Sequence, residues 1–183
     1  MRGLLTSLWT AASSPERFFR WLELRPTRTA RGGLVAYGSL TMLGLACALG
    51  FAKATDSDAY LPLAAFSVTG SSALFLYAWA FGSVFVQRPG ALEGRAWEVS
   101  GWSWTPALFG SVSMLVPLWV FPVPALALTL TGVLVWHLVV LQAGLKVFLE
   151  RPAHRIVTFY ALFIYALPLL LLAFVAWFSA RFT

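Results

Sequence analysis

Charged side chains are scarce in this sequence, which limits the kinds of protein it can encode. Only 11% of the 183 residues are charged and 60% are hydrophobic, against about 25% and about 45–50% in a typical soluble domain. A soluble fold of this length has too little interior to bury that much apolar surface. The composition therefore excludes an ordinary soluble domain and predicts an integral membrane protein.

Motifs for catalysis and metal binding are also missing. The sequence has no P-loop, HExxH or GxSxG pattern and no cluster of residues spaced to ligate a metal. Its single cysteine, Cys47, lies in an apolar run and has no partner for a disulfide within the chain. We therefore predict a protein that is not an enzyme and uses no metal or other cofactor.

Four long uncharged stretches make up most of the chain. Three of them, at 32–52, 59–87 and 156–180, contain 21, 29 and 25 residues, and each suits one helix because about 20 residues cross the hydrocarbon core. The fourth, at 99–145, has 47 residues, which would make a helix of about 70 Å. The prolines of Phe121–Pro124 near its middle predict a turn that divides it into two spans.

The predicted fold is an all-α membrane protein with five transmembrane helices, preceded by an N-terminal amphipathic interfacial helix. Residues 1–33 form a cytoplasmic amphipathic arm and a flexible basic link, and residues 34–180 form the transmembrane domain. Helices are favoured over strands because the runs are apolar on both faces, whereas membrane strands alternate in polarity. The five spans are expected at about 34–54, 60–86, 101–121, 124–146 and 156–180.

Basic residues are concentrated on one side of this predicted topology. The N-terminal region and the second and fourth loops hold all lysines and arginines except Lys53 and Arg181. This distribution predicts a cytoplasmic N-terminus and, with five spans, an exterior C-terminus. Because the cations are dispersed between apolar runs, we expect no nucleic-acid partner despite the net charge of +6. The preference for arginine over lysine indicates a GC-rich bacterium, and hence the bacterial cytoplasmic (inner) membrane.

The N-terminal arm has the pattern of an amphipathic helix. Ser14 and Pro15 suit a helix start, and the aromatic and aliphatic residues that follow share one face. We predict that this helix lies in the cytoplasmic membrane interface; packing under the helical bundle or onto a partner is the alternative. The expected lipid-interface residues are Phe18, Trp21, Leu22, Arg17 and Arg20.

The predicted spans contain no acidic residue, so polar side chains inside the membrane are few. The exceptions in the fourth span are His137 and Gln142, which we identify as polar intramembrane residues. An interhelical hydrogen bond is the simpler interpretation of His137, and a place on a transport pathway is the alternative.

With this layout, the sequence resembles the Yip family, the Ypt/Rab-interacting membrane proteins, in its bacterial branch. The matching segments are 14–22, with its proline followed by aromatic residues, then Trp104–Leu108, Leu115–Pro117 and Trp136–Lys146. The resemblance implies five spans, a cytoplasmic N-terminus and a role in membrane organisation or complex assembly. The acidic region and Asp-Leu-Tyr motif of eukaryotic members are missing, so GTPase binding is not carried over.

We therefore predict a Yip-like, non-enzymatic adaptor or accessory subunit. Its expected partners are the lipid bilayer and either another membrane protein or further copies of itself. The alternative is a small transporter or the membrane subunit of a transporter complex, favoured by the prolines within the spans and by the polar pair in the fourth. The predicted cytoplasmic contacts to a partner are Arg88, Arg95, Arg151 and Arg155.

Overall fold

The computed structural model describes residues 3–55, 60–87, 95–114, 117–149 and 153–167, with residues 170, 173, 177 and 181. Regular structure in these residues is entirely helical, which confirms the all-α prediction. The helices are α1 (Leu4–Ser13), α2 (Pro15–Glu23), α3 (Thr29–Ala54), α4 (Tyr60–Gln87), α5 (Arg95–Trp102), α6 (Thr105–Met114), α7 (Pro117–Val120), α8 (Pro122–Leu149) and α9 (His154–Ala161), which continues as a π-helix over Leu162–Ala166.

Two of the described helices are long and apolar enough to cross a membrane, judged by length and composition. They are α3, with 26 residues and a mean hydropathy of 1.8, and α8, with 28 residues and a mean hydropathy of 2.0. Helix α4 also has 28 residues and spans the range predicted for the second crossing.

The chain reverses direction at Phe121, within the segment where the sequence predicts a turn. Phe121 separates α7 from α8 and has no helical conformation itself. Helices α6 and α8 are antiparallel, since Ser103 lies beside His137 and Gly110 lies beside Val133 further along. Pro122 opens α8 at a position where its missing N–H costs no helical hydrogen bond.

The predicted third span, 101–121, is not one continuous helix in the structure. Helix α5 ends at Trp102, a turn at Ser103 and Trp104 follows, and α6 starts at Thr105. The cause is Pro106, which has no N–H to donate to the carbonyl of Trp102 and disfavours helical geometry in the residue before it. The hydroxyl Oγ1 of Thr105 donates to that carbonyl instead, at 2.8 Å.

The predicted flexible basic link is also shorter than expected. Helix α3 begins at Thr29 rather than at residue 34, so Arg31 and the two following glycines are helical. Gly32 and Gly33 are buried because α5 and α4 pack directly on them: a Cβ at Gly32 would lie 3.0 Å from Glu98 Cα, and one at Gly33 3.0 Å from Trp79 Cζ2. Tertiary packing thus overrides the low helix propensity of the glycine pair.

The N-terminal arm belongs to the protein core. It forms two helices, α1 and α2, instead of the single helix predicted. Phe18 packs on Trp102 with ring centroids 4.7 Å apart, and Phe19 packs on Phe148 at 6.3 Å. The indole Nε1 of Trp136 on α8 donates to the carbonyl of Ala12 at 3.0 Å, which fixes the end of α1.

The prediction that Phe18 and Leu22 contact lipid is therefore wrong. Both side chains are buried within the protein, which is the packed arrangement that the sequence left as the alternative. A helix face with three large apolar residues can be buried equally well by lipid or by neighbouring helices, and here α5 and α8 supply the contacts. Trp21 is half-buried, while Arg17 and Arg20 on the opposite face are exposed.

Candidate functional site

Polar chemistry in the described part of the chain is concentrated in two places, one at an end of the helical bundle and one within it. The end site joins the arm, the start of α3 and the start of α5. The guanidinium of Arg95 donates from Nη1 to the carbonyl of Leu22 at 3.0 Å and to Glu98 Oε2 at 2.9 Å. Its Nη2 donates to the carbonyls of Glu23, at 3.4 Å, and Arg25.

Glu98 is the acidic partner at this site and is almost completely buried, with 1% of its side chain exposed. Its Oε1 accepts the backbone N–H of Arg28 at 2.8 Å, and its Oε2 accepts from Arg95. A buried carboxylate is tolerated only when it is paired and hydrogen-bonded. One carboxylate and one guanidinium therefore tie the arm, α3 and α5 together; we call this pair and its backbone acceptors the clasp.

The clasp requires the backbones of α3 and α5 to come very close together. Gly32 on α3 and Gly101 on α5 lie at the contact, and a Cβ on Gly101 would overlap the carbonyl of Gly32. On the other side of the arm, a Cβ on Gly144 of α8 would lie 2.9 Å from Phe19 Cε2. Small residues at these positions allow close helix approach, and the approach is what brings Glu98 to the start of α3.

A surface ion pair attaches the arm to α8 at the same end of the bundle. Lys146 Nζ donates to Glu16 Oε1 at 2.8 Å, and both side chains are about half exposed. The hydrogen bond and charge of Lys146 lower the pKa of the Glu16 carboxyl below its ordinary value. Residues from three segments predicted to be cytoplasmic, the arm, the second loop and the end of the fourth span, thus meet at one end.

The four predicted partner-contact arginines have different outcomes. The prediction that Arg95 contacts a partner is wrong. Its guanidinium binds within the clasp, and only 16% of the side chain is exposed. Three of its four acceptors, the carbonyls of Leu22, Glu23 and Arg25, come from a distant part of the chain, which loop composition alone cannot show. Arg155 is exposed on α9. Arg88 and Arg151 lie outside the described residues.

The second site surrounds His137, in the interior of the bundle. The imidazole is completely buried and its Nδ1 lies 3.0 Å from the carbonyl of Ser103. Since a carbonyl can only accept, Nδ1 carries the proton and Nε2 is an acceptor in the neutral ring. The Trp104 ring lies 3.9 Å from the imidazole between centroids, and Tyr160 and Tyr165 lie at 5.5 and 6.0 Å. We call these four residues the aromatic cage.

Several buried polar atoms of the cage have no hydrogen-bond partner among the described residues. They are His137 Nε2, Trp104 Nε1, Tyr160 Oη and Tyr165 Oη. The Tyr160 hydroxyl lies near Ser100 and Trp104 but does not reach hydrogen-bond geometry with either. The indole donates, the imidazole Nε2 accepts, and the two hydroxyls can do either. Buried polar atoms are normally satisfied, so this group is suited to hold water or a small polar guest.

The sequence identified His137 but missed the rest of the cage. Tyr160 and Tyr165 are five residues apart, so their side chains would lie on different faces of a regular α-helix. The π-helical turn at Leu162–Ala166 brings both rings to His137. Such turns often occur at functional sites, and no sequence signal marked this one. Gln142 is exposed and does not join the cage, so the predicted polar pair is not brought together.

No protein-family model, curated protein or solved structure matches the chain.

Proposed function

We propose that this chain is a five-span protein of the bacterial cytoplasmic membrane, with its N-terminus inside, that acts as a non-enzymatic adaptor or accessory subunit. The Yip-like role predicted from the sequence is part of this proposal. The observation that carries it is the assembly of the arm, α3, α5 and α8 into one basic end, joined by the clasp and by the Lys146–Glu16 pair. A surface held by a buried ion pair is preorganised for recognition, because little conformational entropy is lost when a partner binds.

The proposed topology is supported by how the helices are arranged. Helices α3 and α4 are antiparallel, since Gly33 lies beside Trp79 and Tyr37 beside Phe75, and α6 and α8 are antiparallel as described above. Successive crossings of a membrane require this alternation. The arginines of 25–31, Arg95 and Lys146 then share one end, as the positive-inside rule expects of a cytoplasmic face.

The proposed partner surface is the exposed part of this basic end. Arg17 and Arg20 on α2 and Arg155 on α9 are exposed there, and Arg88 and Arg151 are assigned to it from the sequence. A surface with several exposed arginines favours partners with acidic segments and increases the rate of association with them.

The test is capture of a partner by the full-length protein, tagged at its C-terminus and gently solubilised. The Arg88→Glu, Arg151→Glu and Arg155→Glu triple variant should lose a stoichiometric partner protein that the unmodified chain retains. The matched control is Arg181→Glu, since Arg181 stacks on Trp177 at 4.6 Å and is predicted to lie on the opposite side. Equal capture by all three proteins would contradict the adaptor proposal.

The aromatic cage favours a second candidate, a small transporter or the membrane subunit of one. The hydroxyls and the indole N–H without partners, together with the neutral imidazole, supply hydrogen-bonding groups for a polar solute. The helix break before Pro106 lies beside them. The sequence also favours this candidate through Pro117 and through Pro168, which lies outside the described residues. Reconstituted protein with His137→Leu separates the candidates: a transport pathway should lose flux, whereas partner capture should be unchanged. Gln142→Leu, on the exposed face of the same helix, is the control.

A further inference from the structure

The arm and the start of α3 enclose a cavity of about 480 Å³. Its lining divides into two chemically different parts. The inner wall is apolar and comes from α1, α2, α3 and α5, with Leu4, Leu8, Leu22, Leu34, Val35 and Trp102. The rim is basic and comes from the segment between α2 and α3, with Arg25 and Arg28, and from the first turn of α3, with Arg31. The volume lies within the range of about 300–1,000 Å³ usual for small-molecule sites.

The positive charge of the rim is not neutralised within the described part of the chain. Glu98 is the acidic residue that lines the cavity, but both its oxygens are already occupied by Arg95 and by the backbone N–H of Arg28. The guanidinium of Arg25 stacks on Trp21 at 4.1 Å from the ring centroid. Neither Arg28 nor Arg31 makes an ion pair with a described carboxylate, so the rim is complementary to an anion.

The apolar wall continues onto the outside of the protein. Leu4 is 67% exposed and Leu34 is 71% exposed, on the two helices that flank the cavity. Leu5 on the same helix as Leu4 is 80% exposed. A soluble anion would use the rim but leave this wall in contact with water, whereas a molecule with an anionic head and an apolar tail would match both parts.

We propose that this cavity binds one anionic phospholipid. Its phosphate lies among Arg25, Arg28 and Arg31, and one acyl chain follows Leu8 and Leu34 out into the bilayer. Basic pockets at the cytoplasmic ends of membrane helices recognise headgroups in this way. The inference rests on the membrane placement in the proposed function and is independent of any protein partner.

The experiment measures lipid retained by the purified full-length protein in detergent, by native mass spectrometry. Phosphatidylglycerol is compared with phosphatidylcholine of the same acyl chains, and free glycerol phosphate is added as a competitor that has the head but no tail. We expect one phosphatidylglycerol per chain, weaker retention of phosphatidylcholine, and no displacement by glycerol phosphate.

Two sets of variants test the two parts of the cavity. Arg28→Gln and Arg31→Gln should each weaken phosphatidylglycerol binding about fivefold, since each cation near a headgroup contributes about 1 kcal/mol. The loss should be smaller for phosphatidylcholine, because its choline cation offsets the charge of its phosphate. Ser7 lines the cavity, so Ser7→Leu narrows it without changing its charge. This variant should weaken the binding of both lipids. Arg17→Gln and Arg20→Gln remove exposed arginines outside the cavity and serve as controls. An unchanged unfolding midpoint shows that each variant is folded.

Three results would overturn the inference: equal retention of the two lipids, equal losses for the control arginines and the rim arginines, or displacement by glycerol phosphate. The last would identify a site for a soluble anion. If these results come from protein that still requires detergent for extraction, the membrane placement stands and the lipid site fails. Extraction without detergent would contradict both.

Discussion

The clasp and the aromatic cage differ in how completely their buried polar groups are hydrogen-bonded. In the clasp, every oxygen of Glu98 accepts a hydrogen bond, and Arg95 donates to three backbone carbonyls besides the carboxylate. In the cage, His137 has one partner and the remaining polar atoms of its four side chains have none among the described residues. A fully satisfied network stabilises one arrangement of the chain, whereas an unsatisfied one lowers stability unless something else occupies it.

The two sites are separated by only a few residues along the chain, which makes the contrast informative. Glu98 belongs to the clasp and Trp104 to the cage, and the turn between α5 and α6 joins them. The carbonyl of Ser103 in this turn accepts from His137. The clasp thus positions the turn, and the turn supplies one wall and one acceptor of the cage. The clasp is therefore a structural element that holds one side of the cage in place.

The largest expected effect comes from breaking the clasp. Glu98→Leu leaves the mostly buried guanidinium of Arg95 without its carboxylate and the N–H of Arg28 without its acceptor. Removing one partner of a buried ion pair costs about 3–5 kcal/mol. We expect a large fall in the thermal unfolding midpoint in detergent and rapid proteolysis between α2 and α3.

Two controls separate this effect from a general loss of charge. Glu98→Gln keeps an oxygen that can accept from the backbone N–H of Arg28. Its unfolding midpoint should therefore fall clearly less than that of Glu98→Leu. Glu16→Gln removes the half-exposed carboxylate paired with Lys146, and exposed pairs contribute little to stability. If Glu16→Gln lowers the unfolding midpoint as much as Glu98→Leu, the clasp does not have the role assigned to it.

A smaller effect is expected from the helix contact that brings the clasp together. Gly101→Ala places a methyl group against the backbone of Gly32, and backbone atoms cannot move aside as a flexible side chain can. Overpacking of this kind costs about 1–3 kcal/mol. The unfolding midpoint should fall, and the arm should become more sensitive to protease.

Gly38→Ala provides the matched control. Gly38 also lies in α3, and a Cβ at this position would have no atom within 4 Å. Alanine is the better helix former by about 0.8–1.0 kcal/mol, so this variant should be unchanged or slightly more stable. A loss at Gly38 as large as that at Gly101 would show that glycine propensity, and not the helix contact, determines the result.

Much of the helical layout follows from local chemistry, whereas the two sites depend on contacts between distant segments. Apolar run lengths are local, so α4 and α8 lie close to the ranges predicted from the sequence. The break before Pro106 is also local, but the 47-residue uncharged run concealed it because length alone does not distinguish one helix from two short ones. The clasp joins residues about 70 positions apart, and no spacing rule connects them.

The burial of the arm shows a further limit of sequence interpretation. Phe18 and Leu22 have the spacing of a membrane-surface helix, but periodicity defines only which residues share a face. It does not determine whether lipid or protein covers that face. The residues that decide the matter are Gly144, Trp102 and Phe148 on other helices. The cage is harder to predict than the arm, because it depends on a π-helical turn that no sequence signal marks.

The smallest expected effect tests whether the cage is occupied. Tyr160→Phe and Tyr165→Phe remove hydroxyls that have no partner among the described residues. An unsatisfied buried hydroxyl costs about 1–3 kcal/mol, so in an empty, dry cage each variant should leave stability unchanged or raise it. If a guest or ordered water uses these hydroxyls, stability should fall by about 1 kcal/mol for each hydrogen bond lost. The measurement is the unfolding midpoint of each variant, with Phe163→Leu on the exposed face of the π-helical turn as the control.

A rise in both tyrosine variants would make the cage a packing defect and remove the main support for transport. A fall in both would show that ordered water or a guest occupies the cage, in the same bundle that the clasp stabilises.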